Sequence, residues 1–184
     1  MSSGMQPELT SRSNRFRSDF LELTQHSFPK YRTKYILAKI ANYVDGRRMG
    51  GVSSPSIERY KDRGVEVEHI LPQTPGADLL AEYGETYLDD VARLGNLTLL
   101  EKTINIVVSN LDFYTVKLPE YRKSQFYLTK SIAEQDVIGK QTAVNRLNEF
   151  LRSYDEWNHD SIVDRQEILY ELARRVWPEN DAGA

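Results

Sequence analysis

At 184 residues, with 40% apolar and 28% charged side chains, the chain can form one globular domain with a real core. It has no cysteine, which excludes disulfides, thiolate catalysis and cysteine-ligated zinc, and no apolar run long enough to cross a bilayer. Its net charge of −3 gives no blanket attraction for nucleic acid, but that charge is unevenly spread. Residues 1–64 carry twelve Lys/Arg against six Asp/Glu, residues 65–101 one against eight, residues 102–130 five against two, and residues 131–184 six against eleven. An acidic block between two basic flanks suits a cation site beside a phosphate-binding surface; a mosaic of solvated faces would look the same.

The opening Met-Ser-Ser-Gly-Met reads as a tag, so residues 1–13 are set aside as a leader without the apolar core of a signal peptide. Helical periodicity follows over residues 14–28 (Phe16, Phe20, Leu21, Leu23) and 31–44 (Tyr35, Ile36, Ile40, Tyr43), with Pro29 breaking between them. Asp45-Gly46 and Gly50-Gly51 mark a loop running through Ser53-Ser54-Pro55-Ser56. Val65-Glu66-Val67-Glu68-His69-Ile70-Leu71 alternates like a strand until Pro72 stops it. A polar, turn-rich segment from Gln73 to Gly84 leads to a short helix near Thr86–Arg93, and Asn96 then opens a second strand, Leu97-Thr98-Leu99-Leu100. Ile104, Val107, Val108 and Leu111 form one helical face. Residues 118–135 are ambiguous between helix and irregular structure. Val144, Leu147, Phe150 and Leu151, then Ile162 to Val176, are helical, and no internal repeat appears. The expected fold is α+β and mostly helical, with a small hairpin carrying the chemistry.

His on a first strand, Asn before a second and Asn on the helix after it form a pattern suited to a one-metal phosphodiesterase. Hydrolysis needs an activated water and a counter-charge for the leaving oxygen. His69 can take the proton, and a hard cation needs only a few oxygen ligands. Glu68 and His69 point to opposite strand faces, so they share a site only at the strand's end. Asn105 and Asn110 diverge by roughly 140° on an ideal helix, so only one can face a small ion; Asn105 looks back at the hairpin.

Val67-Glu68-His69-Ile70-Leu71-Pro72-Gln73, then Leu94-Gly95-Asn96-Leu97-Thr98-Leu99-Leu100, Asn105, Ser109-Asn110, Phe113, Lys117 and Tyr121 resemble the C-terminal nuclease domain of GmrSD-type modification-dependent restriction enzymes. That group belongs to the HNH, or His-Me finger, superfamily with a ββα-metal core. Trp157, Ile162, Arg165, Leu169 and Trp177-Pro178 resemble its closing helix, so the likeness spans roughly residues 30–178. The resemblance implies His69 as general base, Glu68 and Asn105 as metal ligands, and Asn96 as the residue that fixes the loop orienting His69. Asn105 stands where many HNH enzymes use a second His, and a neutral oxygen donor favours Mg²⁺ or Mn²⁺ over Zn²⁺. It implies one nuclease domain over residues 14–178: a helical extension (14–64), the ββα-metal core (65–117) and C-terminal helices (118–178), with a tail at 179–184. It also implies DNA as partner, an N-terminal sensing or nucleotide-hydrolysing domain of the same protein, an anti-phage role and a bacterial cytoplasmic setting.

Lys117, Arg122 and Lys123 are candidate phosphate contacts, and Lys30, Arg32, Lys34 and Lys39 a basic helix that meets DNA or docks another domain. His26 and His159 read as ordinary surface residues, and Trp157 and Trp177 as packing anchors. The function expected is a metal-dependent, nicking DNA endonuclease. A catalytically silent DNA-binding module is the alternative; a docking domain and an RNA substrate also stay open.

Overall fold

The computed structural model describes residues 5–51, 54–140 and 142–178. The first four residues of the leader, Ser53 of the expected loop and the 179–184 tail lie outside them. Strand β1 (Val65–His69) pairs antiparallel with β2 (Leu97–Glu101), Val65 opposite Glu101 and His69 opposite Leu97. Strand alternation gives this hairpin two faces. Val65, Val67, Leu97 and Leu99 join a first apolar core, whereas Glu66, Glu68, Thr98 and Leu100 occupy the opposite face, Leu100 within a second core. The ladder ends at His69, three residues before Pro72, because the next two amides turn onto Asn96: Ile70 N donates to its carbonyl at 3.0 Å and Leu71 N to its Oδ1 at 2.6 Å.

Helices cover both faces. Helix α1 (Met5–Leu21) takes up residues 5–13 of the expected leader and packs on the last helix through a ring cluster of Phe16, Phe20 and Tyr170, with centroids 5.8 to 6.0 Å apart. It ends seven residues before the expected limit of 28, leaving 22–29 as a loop. Helix α2 (Lys30–Arg48) buries Leu37, Ala38, Ile40, Ala41 and Val44 in the first core.

The expected break at Asp45-Gly46 falls inside α2, and tertiary contacts explain why. The buried Asp45 carboxylate accepts from Tyr60 Oη at 2.6 Å and Tyr127 N at 3.0 Å, and Gly46 leaves room for Ser54, whose Oγ would stand 2.4 Å from an added Cβ. The turn comes at Gly50 and Gly51, where φ is +85° and +75°.

Short helices α3 (Glu58–Lys61), α4 (Ala77–Tyr83) and α5 (Tyr87–Ala92) follow, α4 lying in the stretch expected to be irregular. One 3₁₀ turn, Leu94–Asn96, opens β2. Directly after β2 comes α6 (Lys102–Val108), so strand, strand and helix follow in the expected order. Of its expected apolar face only Val108 is buried, while Val107 and Leu111 are exposed, because the helix ends at Val108 and Ser109 turns the chain with φ +39°. A π-turn (Phe113–Lys117) leads into α7 (Leu118–Tyr121), and α8 (Tyr127–Ala133) and α9 (Ala143–Asn148) flank the first core.

The closing helix α10 (His159–Val176) starts on Asn158, whose side chain accepts from Ser161 N at 3.1 Å. Its buried stripe, Ile162, Arg165, Gln166, Leu169, Leu172 and Ala173, recurs at three and four residues. The architecture is α+β and mostly helical around a two-stranded sheet. Among the described residues no helix is long and apolar enough to cross a membrane.

Candidate active site

His69 ends β1 half-buried, its Nε2 2.8 Å from Gln25 Oε1 in the α1–α2 loop. Burial, followed by the charges of Lys117, Lys30 and His26, holds its pKa down at about 4, so the ring is neutral near pH 7.

Asn96 is fully enclosed and saturates its carboxamide: Oδ1 accepts from Leu71 N and, at 2.9 Å, from Trp157 Nε1, and Nδ2 donates to the carbonyls of Leu71 and Val91 at 3.1 Å each. It therefore staples the chain just after His69 to the start of β2 without touching the imidazole in any of these bonds. Helix α10 supports the same turn. Arg165 Nη1 donates to the carbonyls of Gly95 and Leu97 at 2.7 Å each, and burial lowers its pKa to about 10. Gln166 accepts from Gly95 N, and its Nε2 reaches the carbonyls of Phe20, Leu21 and Leu23 at 3.0 to 3.2 Å. Gly95 must be glycine here, since a Cβ would stand 2.3 Å from the Ile162 carbonyl oxygen.

Glu68 faces away from the His69 ring into the second core. Lys117 Nζ lies 2.6 Å and Tyr121 Oη 3.0 Å from its Oε1. Lys117 and Tyr121 are four residues apart, one helical turn, so both side chains reach the same oxygen. Burial pushes the Glu68 carboxyl up and the Lys117 ammonium down, while each holds the other in its charged form. Lys117 also donates to the His69 carbonyl at 2.7 Å and has no exposed surface. Two expectations fell on this pair. Lys117, expected as a phosphate contact, directs its charge into the protein. Glu68, expected as a metal ligand, already has its charge balanced by an ammonium, and a cation bound to it would face that ammonium across a few ångströms.

The carboxylate beside Asn105 is Glu66. Asn105 Nδ2 donates to Glu66 Oε2 at 2.7 Å, and Asn105 Oδ1 is a buried acceptor with no hydrogen-bond partner among the described residues. An orphaned carbonyl oxygen next to a half-exposed carboxylate is a hard donor set. It fits an ion such as Mg²⁺ that keeps most of its waters. Lys102 Nζ, 3.8 Å from Glu66 Oε1, is exposed and can move aside. Among the described residues no three His, Cys, Asp or Glu side chains gather around one point, so the chelation available is of this sparse kind. Asn110 lies beyond the end of α6, exposed, in the wall of a cleft of about 1120 Å³. That cleft is acidic, with Asp78, Asp112, Asp155, Glu156 and Asp160 in its walls, and is an unsuitable path for a polyanion.

Arg122 and Lys123 are exposed and paired, Arg122 with Glu134 at 3.6 Å and Lys123 with Glu120. His159, expected to be an ordinary surface residue, sits half-exposed with Nδ1 2.9 Å from the buried Asp90 carboxylate. On α2, Lys34 is turned inward onto the carbonyls of Lys61, Asp62 and Val65, whereas Lys30 and Arg32 stay exposed. Sequence reasoning missed Gln25, Glu66, Gln166 and the role of Arg165. Only Arg165 carried a signal, an arginine within the apolar stripe of α10.

No curated protein and no solved structure matches the chain. One family does, over residues 10–172, from the end of the leader almost to the end of α10 and across every residue of this site. The hairpin, its Asn96 staple and the helices that hold them thus belong to a chain of the GmrSD restriction endonuclease C-terminal domain family.

Proposed function

We propose that this domain is a metal-dependent DNA endonuclease that nicks one strand, with His69 as the general base. The observation that carries the reading is the His69 imidazole at the end of β1, held by Gln25 at 2.8 Å and followed directly by the turn onto Asn96. The water's proton passes to His69 as its oxygen bonds to phosphorus, and the P–O bond to the leaving oxygen breaks with its electron pair on that oxygen. A hard divalent cation, Mg²⁺ or Mn²⁺, would supply countercharge for the leaving oxygen, and the orphaned Asn105 Oδ1 is the donor offered to it. Asn96 is a positioning residue: it fixes the turn that ends the His69 strand. Lys30 and Arg32, exposed at the start of α2, are the proposed phosphate contacts, with the exposed Tyr31 between them, the Arg32 guanidinium 5.9 Å from its ring. Arg122 and Lys123, both engaged with carboxylates, would be secondary contacts.

The test is conversion of supercoiled plasmid to open circles with Mg²⁺, Mn²⁺ or EDTA, by this chain and its His69→Ala variant. Metal-dependent nicking lost in the variant is expected. Calorimetric Mn²⁺ binding that is weaker in Asn105→Ala tests the ligand assignment apart from activity. Undiminished cutting by His69→Ala would overturn the general-base assignment. The burial of Glu68 against Lys117 favours one other reading, a catalytically silent DNA-binding module. Metal-indifferent DNA binding by a folded chain that never cuts would establish that instead. An N-terminal sensing or nucleotide-hydrolysing domain as partner and a bacterial cytoplasmic setting belong to the same proposal.

A further inference from the structure

We propose that Gln25 is a positioning residue that fixes His69 as its Nε2–H tautomer, leaving Nδ1 as the atom that takes the proton from the attacking water. The inference rests on the reading of His69 as general base and goes beyond it to an atom and to a residue outside the hairpin. A neutral imidazole has one N–H, and the carboxamide oxygen of Gln25, 2.8 Å from Nε2, can only accept, so the hydrogen belongs on Nε2. The Gln25 carboxamide lies with its nitrogen toward His26 Nε2, at 3.4 Å, and its oxygen toward His69.

The loop carrying Gln25 is held by three backbone contacts to residues 92–94. Gln25 N donates to the Ala92 carbonyl at 2.7 Å, Leu94 N donates to the Leu23 carbonyl at 3.0 Å, and Thr24 forms an antiparallel bridge with Arg93. Gln166 ties the carbonyls of Phe20, Leu21 and Leu23 to α10, and Thr24 N donates to Ser27 Oγ at 2.9 Å within the loop. The backbone of Gln25 is thereby docked onto the segment that leads through Asn96 into β2. The acceptor for Nε2 and the turn after His69 are parts of one assembly. A side chain that fixes the tautomer and ring orientation of a reactive imidazole typically governs activity without touching substrate.

The experiment is ¹⁵N NMR of the histidine rings in the full chain at neutral pH, with the same plasmid assay on Gln25→Leu, Gln25→Glu and His69→Ala. Expected in the parent chain is a proton on His69 Nε2 in slow exchange with solvent and an unprotonated Nδ1. Gln25→Leu should lose the slow exchange and mix the tautomers, with nicking down by about 10- to 100-fold. Gln25→Glu keeps an acceptor and should restore the Nε2–H signal. A parent chain whose hydrogen sits on Nδ1 overturns the inference. So does an unchanged spectrum and rate in Gln25→Leu when His69→Ala is inactive, a result that leaves the general-base reading intact. Full activity in His69→Ala removes that reading, while the spectra alone still decide whether Gln25 sets the tautomer.

Discussion

Lys117 donates to Glu68 Oε1 and to the His69 carbonyl, and nothing of it reaches solvent. A lysine's ordinary place is the surface, so its chain position offered no signal of this; the burial follows from the π-turn that aims it inward beside Tyr121. Removing one member of the pair leaves the other charged and buried. Glu68→Gln or Lys117→Met alone should therefore cost about 3–5 kcal/mol in urea unfolding, and the double variant markedly less than the sum. His69 brings a pH dependence. Unfolded, its ring titrates near 6.5; folded, near 4. Between those values the unfolded chain binds the additional proton, so stability is highest above pH 6.5 and drains away as pH falls toward 4. Melting temperatures of the parent and His69→Gln from pH 4 to 8 should converge at the acid end. Parallel curves would show that the ring titrates alike in both states. His69, Asn96 and Asn105 were singled out as candidates by residue type and spacing. Gln25 and Glu66 were not, because a loop glutamine and a strand glutamate are common and only their distances single them out.

Among the elements, the hairpin was read nearly to the residue, because alternation with one apolar face leaves a single register. The helices were read less well wherever a tertiary contact outweighed a local signal, as at Asp45-Gly46, or where a short amphipathic piece such as α4 lies among turn residues. The contact of α10 with the 3₁₀ turn is where small changes should matter most. Gly95→Ala sets a Cβ against the Ile162 backbone, which only a shift of the helix can relieve, and should cost about 1–3 kcal/mol or more by thermal unfolding. Gly46→Ala offers a control: it meets chiefly the hydroxyl of Ser54, which can rotate away, and a helical alanine gains about 1 kcal/mol over glycine, so its net effect should be small. Arg165→Leu strips two buried carbonyls of their donor. It should destabilise by about 1–3 kcal/mol for each carbonyl left unpaired, and Arg165→Lys, with one ammonium for two acceptors, should recover only part.

For the whole molecule, charge is arranged more usefully than the net −3 suggests. The acidic cleft and the exposed basic start of α2 are separate surfaces, and DNA is expected only at the second. Lys30→Glu with Arg32→Glu should weaken DNA binding at low salt and flatten its salt dependence, with the thermal melt unchanged. Equal loss from charge reversal at Arg122 and Lys123 would move the interface to the α7–α8 side.

Gln166 also bears on what counts as a minimal folding unit. With one carboxamide it fastens the chain at Phe20, Leu21 and Leu23 to the amide of Gly95, seventy-odd residues away. A fragment beginning at Lys30 keeps His69, Asn96 and Asn105. It would nevertheless strand the Gln166 donors in a buried site and strip His69 of its acceptor. The unit that can be cut out, transplanted or fused therefore begins upstream of Phe20, well before the first residue of the recognisable motif.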